Sequence, residues 1–232
     1  MDSIKNRYAD IDPKKINLHI NEHLGENEKF NYNSYVEAQT KANVRKLECE
    51  GPSIWRLFNI SDYIKKHIPN LTFGICHGTR RGSEQKDFKS ALNIPVIGTE
   101  ISHTAEQFPD TIQWDFHEAK EEWLNSVSFI FSNSLDHSYD PISCLDTWMR
   151  CISPGGKIFL QRGAGYIPKN PNEARNGGVD GNLVDIFQCT DDAFEKIVAL
   201  AGNDEWIVLY PEELSTKVMG AGTHFIVLEK KR

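Results

Sequence analysis

Several short stretches carry residue types at spacings that can do chemistry, each just after a run apolar enough to be a strand. His77-Gly78-Thr79-Arg80-Arg81-Gly82-Ser83 joins small residues, which let a backbone turn tightly and approach a ligand closely, to a helix start whose free N–H groups suit a carboxylate or phosphate. Glu100 follows Gly78 by 22 residues. At that separation, in dinucleotide-binding folds, an acid accepts hydrogen bonds from both ribose hydroxyls of an adenosine-containing ligand. Asp115-Phe116 pairs an acceptor for an adenine amino group with a ring that can pack on the base. Ser132-Asn133-Ser134 and Asp136-His137-Ser138-Tyr139-Asp140-Pro141 follow the next apolar run. His137 is the residue there best suited to take a proton, since imidazole is largely neutral at physiological pH. Gly74-Ile75-Cys76-His77-Gly78 also reads as G-x-C-x-G, the shape of a nucleophile elbow with cysteine in place of serine.

Such residues act together only if a sheet brings the strand ends side by side. From residue 71 onward, short apolar runs alternate with helical patterns, which predicts a parallel α/β sheet. The expected strands are Leu71–Cys76, Pro95–Glu100, Thr111–Trp114, Phe129–Ser132, Lys157–Leu160, Trp206–Leu209 and His224–Glu229. The expected helices are Ser83–Leu92, Glu118–Leu124, Ile142–Cys151 and Asp191–Ala201, and Ser153-Pro154-Gly155-Gly156 reads as a reverse turn. Ahead of the sheet, residues 1–33 are polar and weakly periodic and read as an arm without a strand. Residues 34–70 read as two helices, the first opened by Ser34 and Glu37 at capping-box spacing and broken at Gly51-Pro52. In open sheets of this kind, ligands bind beyond the carboxyl ends of the strands, where the strand order reverses.

The glycine-bearing loop, Glu100, Asp115 and the Pro154-Gly155-Gly156 turn with its apolar strand come in that order. With them, the chain from Leu71 to about Gln161 resembles a class I S-adenosylmethionine-dependent methyltransferase of the small-molecule type. The Ser134–Pro141 stretch is similar to the loop after the fourth strand in many such members. The resemblance implies a Rossmann-like, doubly wound, seven-stranded and mostly parallel sheet whose last strand is antiparallel. Residues 34–70 would be an N-terminal helical cap, 71–232 the methyltransferase core and 162–190 an acceptor-side loop. It also implies S-adenosylmethionine as cofactor, lying across the first four strand ends and touched by His77, Gly78, Thr79, Arg80, Glu100, Asp115, Phe116 and Asn133. The family's first motif reads acid-x-Gly-x-Gly-x-Gly. Set against Gly74, Cys76, Gly78 and Arg80, only Gly78 matches, the acid is missing, and Arg80 is expected to offset the loss by neutralising the methionine carboxylate.

Methyl transfer from a sulfonium is an in-line displacement on an activated carbon, so the protein positions the acceptor and, for a hydroxyl, removes a proton. His137 is the expected base, with Asp136 and Tyr139 next. Tyr35 and Gln39 are expected on the inner face of a helical lid. The Arg162–Thr190 segment is long and rich in Gly, Asn and Pro. Its Arg162, Tyr166, Lys169, Asn170, Arg175, Asn176 and Asp180 suit a hydroxyl-rich or anionic small molecule. A small-molecule O-methyltransferase, acting on a sugar-like metabolite, is the expected activity, with N-methylation as its variant.

Charge and composition trim the rest. The formal net charge is −7 and no block of Lys/Arg occurs, which removes the usual electrostatic support for nucleic acid. The family's base-amino methylases carry Pro-Pro after the fourth strand, and Asn133-Ser134-Leu135-Asp136 does not, so DNA is not the expected acceptor. No apolar run approaches membrane-helix length and the first seven residues have no signal-peptide core, so a cytoplasmic location is expected. Five cysteines without a C-x-x-C pair fit a reducing compartment. His77, His117 and His137 match no metal template, and no metal is expected. A cysteine-nucleophile hydrolase or glutamine-amidotransferase-like domain using Cys76 is the rival, weakened by the lack of a late His-x-Glu. A cofactor-binding domain without catalysis is the third reading.

Overall fold

The computed structural model describes residues 4, 6–19, 23, 29–48, 54–163, 186–218 and 221–231. In chain order the strands are β1 (Ile16–Leu18), β2 (Gly74–His77), β3 (Val96–Glu100), β4 (Thr111–Gln113), β5 (Val127–Ser132), β6 (Ile152–Gly163), β7 (Phe187–Cys189), β8 (Trp206–Leu209), β9 (Ser215–Val218) and β10 (Ala221–Lys230). The helices are α1 (Tyr32–Arg45), α2 (Ile54–His67), α3 (Ser83–Leu92), α4 (Pro141–Cys151) and α5 (Asp191–Ala201). The main sheet runs β4-β3-β2-β5-β6-β10-β8, parallel from β4 through β6, with β10 antiparallel to both neighbours and β9 paired to the first half of β10. This is the doubly wound, seven-stranded order with an antiparallel last strand that the resemblance implies.

The strand period of two explains why helices cover both faces. Ile75, Ile130, Ile158, Leu160 and Ile226 point into one core with Leu145, Trp148, Phe194 and Ile197 of α4 and α5. Their chain neighbours Cys76, Phe129, Phe131, Phe159 and Val227 point into the other, with Ile60, Ile64 and Phe88 of α2 and α3. Asp140 caps α4 by accepting from Ser143 N at 3.3 Å, and Pro141 follows at the first turn, where its missing N–H costs nothing.

Several local expectations are corrected. The first helix is capped by Asn31, whose side chain accepts from Ser34 N at 3.1 Å, so the start lies ahead of the Ser34/Glu37 pair. Glu118–Leu124 forms only a single 3-10 turn at Glu121–Trp123, since Trp123 packs into the core and Ser126 already bonds toward Cys151 and β6. The Ser153–Gly156 turn lies inside β6 as an irregularity: pairing with β5 jumps from Val127–Ile152 to Phe129–Lys157, and Gly155 takes φ +81°. In the N-terminal 33 residues, Tyr8 and Ile11 are buried and β1 pairs antiparallel with β7, a three-residue strand too short to leave an alternation signal. Tyr8 Oη donates to Asp140 Oδ1 at 3.2 Å and Arg7 pairs with the same carboxylate at 2.8 Å, which ties this segment to the start of α4. The polar positions Tyr166, Lys169, Asn170, Arg175, Asn176 and Asp180 lie outside the described residues.

Candidate functional site

A cavity of about 200 Å³ opens at the carboxyl ends of β2, β3 and β5. This is where the strand order reverses: β2 leads to β3 on one side and lies against β5 on the other. Its wall runs from the loop after β2 (Gly78–Arg81) into the first turn of α3 (Ser83, Glu84), across Glu100-Ile101 and Asp115-Phe116, to Asn133, Ser134 and His137. Tyr35, Gln39, Ala42, Asn43 and Lys46 of α1 close it.

The loop after β2 has left-handed backbone at alternate positions: Gly78 (φ +72°), Arg80 (φ +46°) and Gly82 (φ +74°). The family's acid-x-Gly-x-Gly-x-Gly spacing therefore falls on Cys76, Gly78, Arg80 and Gly82, two residues later than the alignment through Gly74. Gly74 opens β2 and has no part in the turn. Two of three glycines are thus present, Arg80 occupies the middle left-handed position, and the acid's place is filled by Cys76. A Cβ on Gly78 would meet Ser134 Cβ at 2.6 Å, so glycine lets this loop close against the turn after β5.

At the β3 and β4 ends, two carboxylates are held by ready-made partners. Glu100 accepts from Arg80 N and from Ser102 N, both at 3.0 Å, one on each oxygen. Burial pushes its carboxyl up, against these two N–H groups, His137 and Asn43, which favour the ionised form. Asp115 accepts from Tyr32 Oη at 2.8 Å, His117 N at 2.9 Å and His117 Nδ1 at 2.7 Å. Burial works to raise it, but the His117 contacts and Tyr32 outweigh that and hold its carboxyl below the usual range. His117 is itself fixed on its other nitrogen by Ser138 Oγ at 2.8 Å and stacked on Tyr139 at 3.8 Å between centroids. Trp148 Nε1 donates to Phe116 O at 2.7 Å and Thr147 Oγ1 to His117 O at 3.1 Å, so α4 pins the whole segment. Ser138 is fully buried, so this Asp–His–Ser line orients Asp115 and offers no nucleophile to a substrate.

At the α3 end the setting differs. Glu84 is 4% exposed, accepting from Ser83 Oγ at 3.2 Å and Asn133 Nδ2 at 3.3 Å. Burial raises it to about 7, although its own N–H, Ser83, the Arg80 charge and Asn133 pull the other way. Cys76, behind it in β2, is fully buried, and burial together with the Glu84 charge pushes its thiol well above the ordinary value. A nucleophilic cysteine needs an accessible, low-pKa thiolate, so this removes the support for the Cys76 rival.

Of the ten residues singled out from sequence, Gly78, Thr79, Arg80, Glu100, Asp115, Phe116, Asn133 and His137 line this one cavity. The side chains of His77 and Asp136 go elsewhere. His77 stacks on Trp148 (4.7 Å between centroids) and bonds Thr99 Oγ1 at 2.8 Å, and burial first, then His117, lowers it to about 3. Asp136 is buried beside a separate cavity of about 30 Å³ that Gln161 and Gln188 also line, and His137 Nε2 stands 3.9 Å from its Oδ1, beyond hydrogen-bond reach. Tyr35, whose hydroxyl donates to His137 O at 3.1 Å, and Gln39 line the cavity from α1 as expected of them. Asn43, Lys46, Arg81 and Glu84 were not foreseen. Helical spacing from Gln39 would have reached Asn43 and Lys46, and the loop register would have exposed Glu84. Among the described residues, no group of three or more His, Cys, Asp or Glu side chains is placed to hold a metal ion.

Neither a protein-family model nor a curated protein matches the chain. Solved structures do. The Burkholderia thailandensis 1,6-didemethyltoxoflavin-N1-methyltransferase, with 1,6-didemethyltoxoflavin and S-adenosylhomocysteine bound, superposes with a TM-score of 0.59 at 11% identity over 86% of this chain and 90% of that one. The plantazolicin methyltransferase BpumL, in complex with S-adenosylhomocysteine, gives 0.60 at 12% identity over 86% and 95%. The CcbJ methyltransferase from Streptomyces caelestis gives 0.56 at 13% identity over 87% and 100%. The chain has the class I S-adenosylmethionine-dependent methyltransferase fold.

Proposed function

We propose that this protein binds S-adenosylmethionine in the cavity at the β2, β3 and β5 ends and transfers its methyl group to a small molecule, at a hydroxyl of a polar or sugar-like acceptor. The observation that carries the reading is the placement of Glu100 and Asp115, two buried carboxylates at successive strand ends, in one cavity with a left-handed glycine loop. The residues fit the cofactor chemically. Each Glu100 oxygen accepts one backbone N–H, Asn43 also bonds the carboxylate, and the lone-pair capacity that is left is open to a ligand hydroxyl. Among the described residues Asp115 Oδ2 accepts from Tyr32 alone, which leaves room for an exocyclic amine, with Phe116 beside it. Arg80 stands at the loop to face a carboxylate.

When bound, the cofactor supplies a methyl carbon already activated by a sulfonium. The chain's own work is then to bind, orient and deprotonate. His137 lines the cavity beside Ser134, and the Tyr35 hydroxyl fixes its backbone from α1, so its ring is the group placed to take a hydroxyl proton. No helix among the described residues is long and apolar enough to cross a membrane. The net charge of −7 favours a small acceptor over nucleic acid.

Calorimetry with S-adenosylmethionine and S-adenosylhomocysteine, run against NAD and glutamine, tests the reading. Binding of both sulfur nucleosides and neither control is expected, and silence from both overturns it. For the base, His137→Ala should lower turnover about 100-fold at saturating acceptor with cofactor affinity kept. Near-normal turnover removes His137 from that role.

A further inference from the structure

The loop after β2 lacks the acid of the first motif, and its place holds a buried thiol. Yet a carboxylate occupies the same neighbourhood, entering from the other direction. Glu84 comes in from the first turn of α3 and lines the cavity at 4% exposure, close enough to Cys76 for its charge to act on the thiol. Its side-chain donors, Ser83 Oγ and Asn133 Nδ2, are neutral and long, at 3.2 and 3.3 Å, and among the described residues no cation forms an ion pair with it. A carboxylate that is nine-tenths buried, faces a cavity and makes no direct ion pair among the described residues is an unusual arrangement, because a buried charge is expensive unless a cation pairs with it. Arg80, whose charge acts on Glu84, lines the cavity at the same loop. Together they present one anion and one cation at one end of the cavity, which is the complement of an α-amino acid group.

We propose that Glu84 is the ammonium-binding carboxylate of this site, replacing the missing motif acid and forming with Arg80 a clamp for the zwitterionic aminoacyl end of the ligand. The inference rests on the proposed S-adenosylmethionine reading for the ligand's identity. It adds which side chain takes the ammonium, and that capture is coupled to proton release. Before binding, burial leaves the carboxyl near half-protonated at neutral pH, since it is raised to about 7. The ammonium favours the ionised form, so the carboxyl proton leaves to solvent as the pair forms. Of the charged or titratable groups beside Glu84, Arg80 in the loop favours its ionised form, and Cys76 in β2 has its own thiol pushed well up by burial and by the Glu84 charge. Ser83 and, from the end of β5, Asn133 do not titrate. The proton is therefore assigned to Glu84 alone.

Two ligands separate the parts: S-adenosylhomocysteine carries the aminoacyl group and 5′-methylthioadenosine lacks it. In the wild type, calorimetry at pH 7 in buffers of different ionisation enthalpy should show about half a proton released with S-adenosylhomocysteine and none with 5′-methylthioadenosine. Glu84→Gln should abolish the release and weaken S-adenosylhomocysteine about 10-fold or more, leaving 5′-methylthioadenosine within about twofold. Glu84→Asp should keep part of the release. Equal S-adenosylhomocysteine affinity in wild type and Glu84→Gln, or no proton release by the wild type, overturns the role of Glu84 while leaving the cofactor reading intact. Failure of both nucleosides to bind the wild type overturns the cofactor reading itself.

Discussion

The two ends of the cavity solve opposite problems with the same chemical group. At the β3 and β4 ends, Glu100 and Asp115 are buried carboxylates already surrounded by donors: two backbone N–H groups for one, and Tyr32 and His117 for the other. They are oriented before any ligand arrives, which is the arrangement for reading neutral donors such as hydroxyls and amines. At the α3 end, Glu84 has two long, neutral side-chain donors besides its own N–H, and Arg80 stands in a left-handed conformation that its side chain disfavours. That end is under-satisfied, as a charged ligand group requires if it is to complete the set. One end is preorganised and the other is poised.

If the comparison is right, the largest loss comes from removing a preorganised acceptor. Glu100→Ala deletes the carboxylate's contact with ligand hydroxyls and strands the N–H groups of Arg80 and Ser102. S-adenosylhomocysteine affinity should fall about 100-fold or more by calorimetry, and thermal stability should fall with it. Retained affinity breaks the assignment of that end.

The poised end should show its cost in the ligand-free protein. Glu84 is raised from 4.5 to about 7, so the folded chain holds a proton that the unfolded chain gives up between those values. Its contribution to stability is present below about pH 4.5 and is lost as pH rises through about 7, by about 3 kcal/mol in all. Glu84→Gln cannot ionise, so thermal melts should find it more stable than wild type at pH 8 and level with it near pH 4.5. A pH-independent difference would mean that the carboxyl is not strained there. His117→Asn should act less strongly. It frees Asp115 from its fixed pose and so weakens S-adenosylhomocysteine about 10-fold, with Ser138→Ala following in the same direction by a smaller factor.

The same contrast explains what the amino-acid sequence alone reveals. The sheet was legible because its strands are buried on both faces and read as apolar runs, Phe129–Ser132 most clearly. Glu100 and Asp115 were legible because each is the first acid after such a run. The register of the glycine loop was not, since its turn is built on backbone φ at 78, 80 and 82, and Arg80 hides the middle position. Glu84 was hidden for a related reason: an acid in a helix's first turn ordinarily faces solvent, where it favours the helix dipole, and only burial against Asn133 and Cys76 gives it another meaning. His77 and Asp136 misled because, in sequence, a polar residue at a strand end looks the same whether it faces the cavity or the core; stacking on Trp148 decides it for His77. β1 was invisible because its three residues gain their order from β7, far along the chain.

Arg80 supplies the smallest and most discriminating effect. A non-glycine residue at φ +46° carries about 1–2 kcal/mol of strain, and glycine gives back about 0.5–1 kcal/mol of that through its freer unfolded chain. Arg80→Gly should therefore leave the protein slightly more stable, by up to about 1 kcal/mol or 2–4 °C in Tm. The backbone N–H that serves Glu100 is kept, so 5′-methylthioadenosine should bind as before, while S-adenosylhomocysteine weakens several-fold as its carboxylate loses the guanidinium. Stability rising while affinity falls is the signature of a residue held in strain for its ligand. Glu100→Ala must move both downward, because its carboxylate serves the fold and the ligand at once. If Arg80→Gly instead destabilises the protein and weakens both nucleosides alike, the guanidinium is holding the loop, and the two ends of the cavity differ less than their charges suggest.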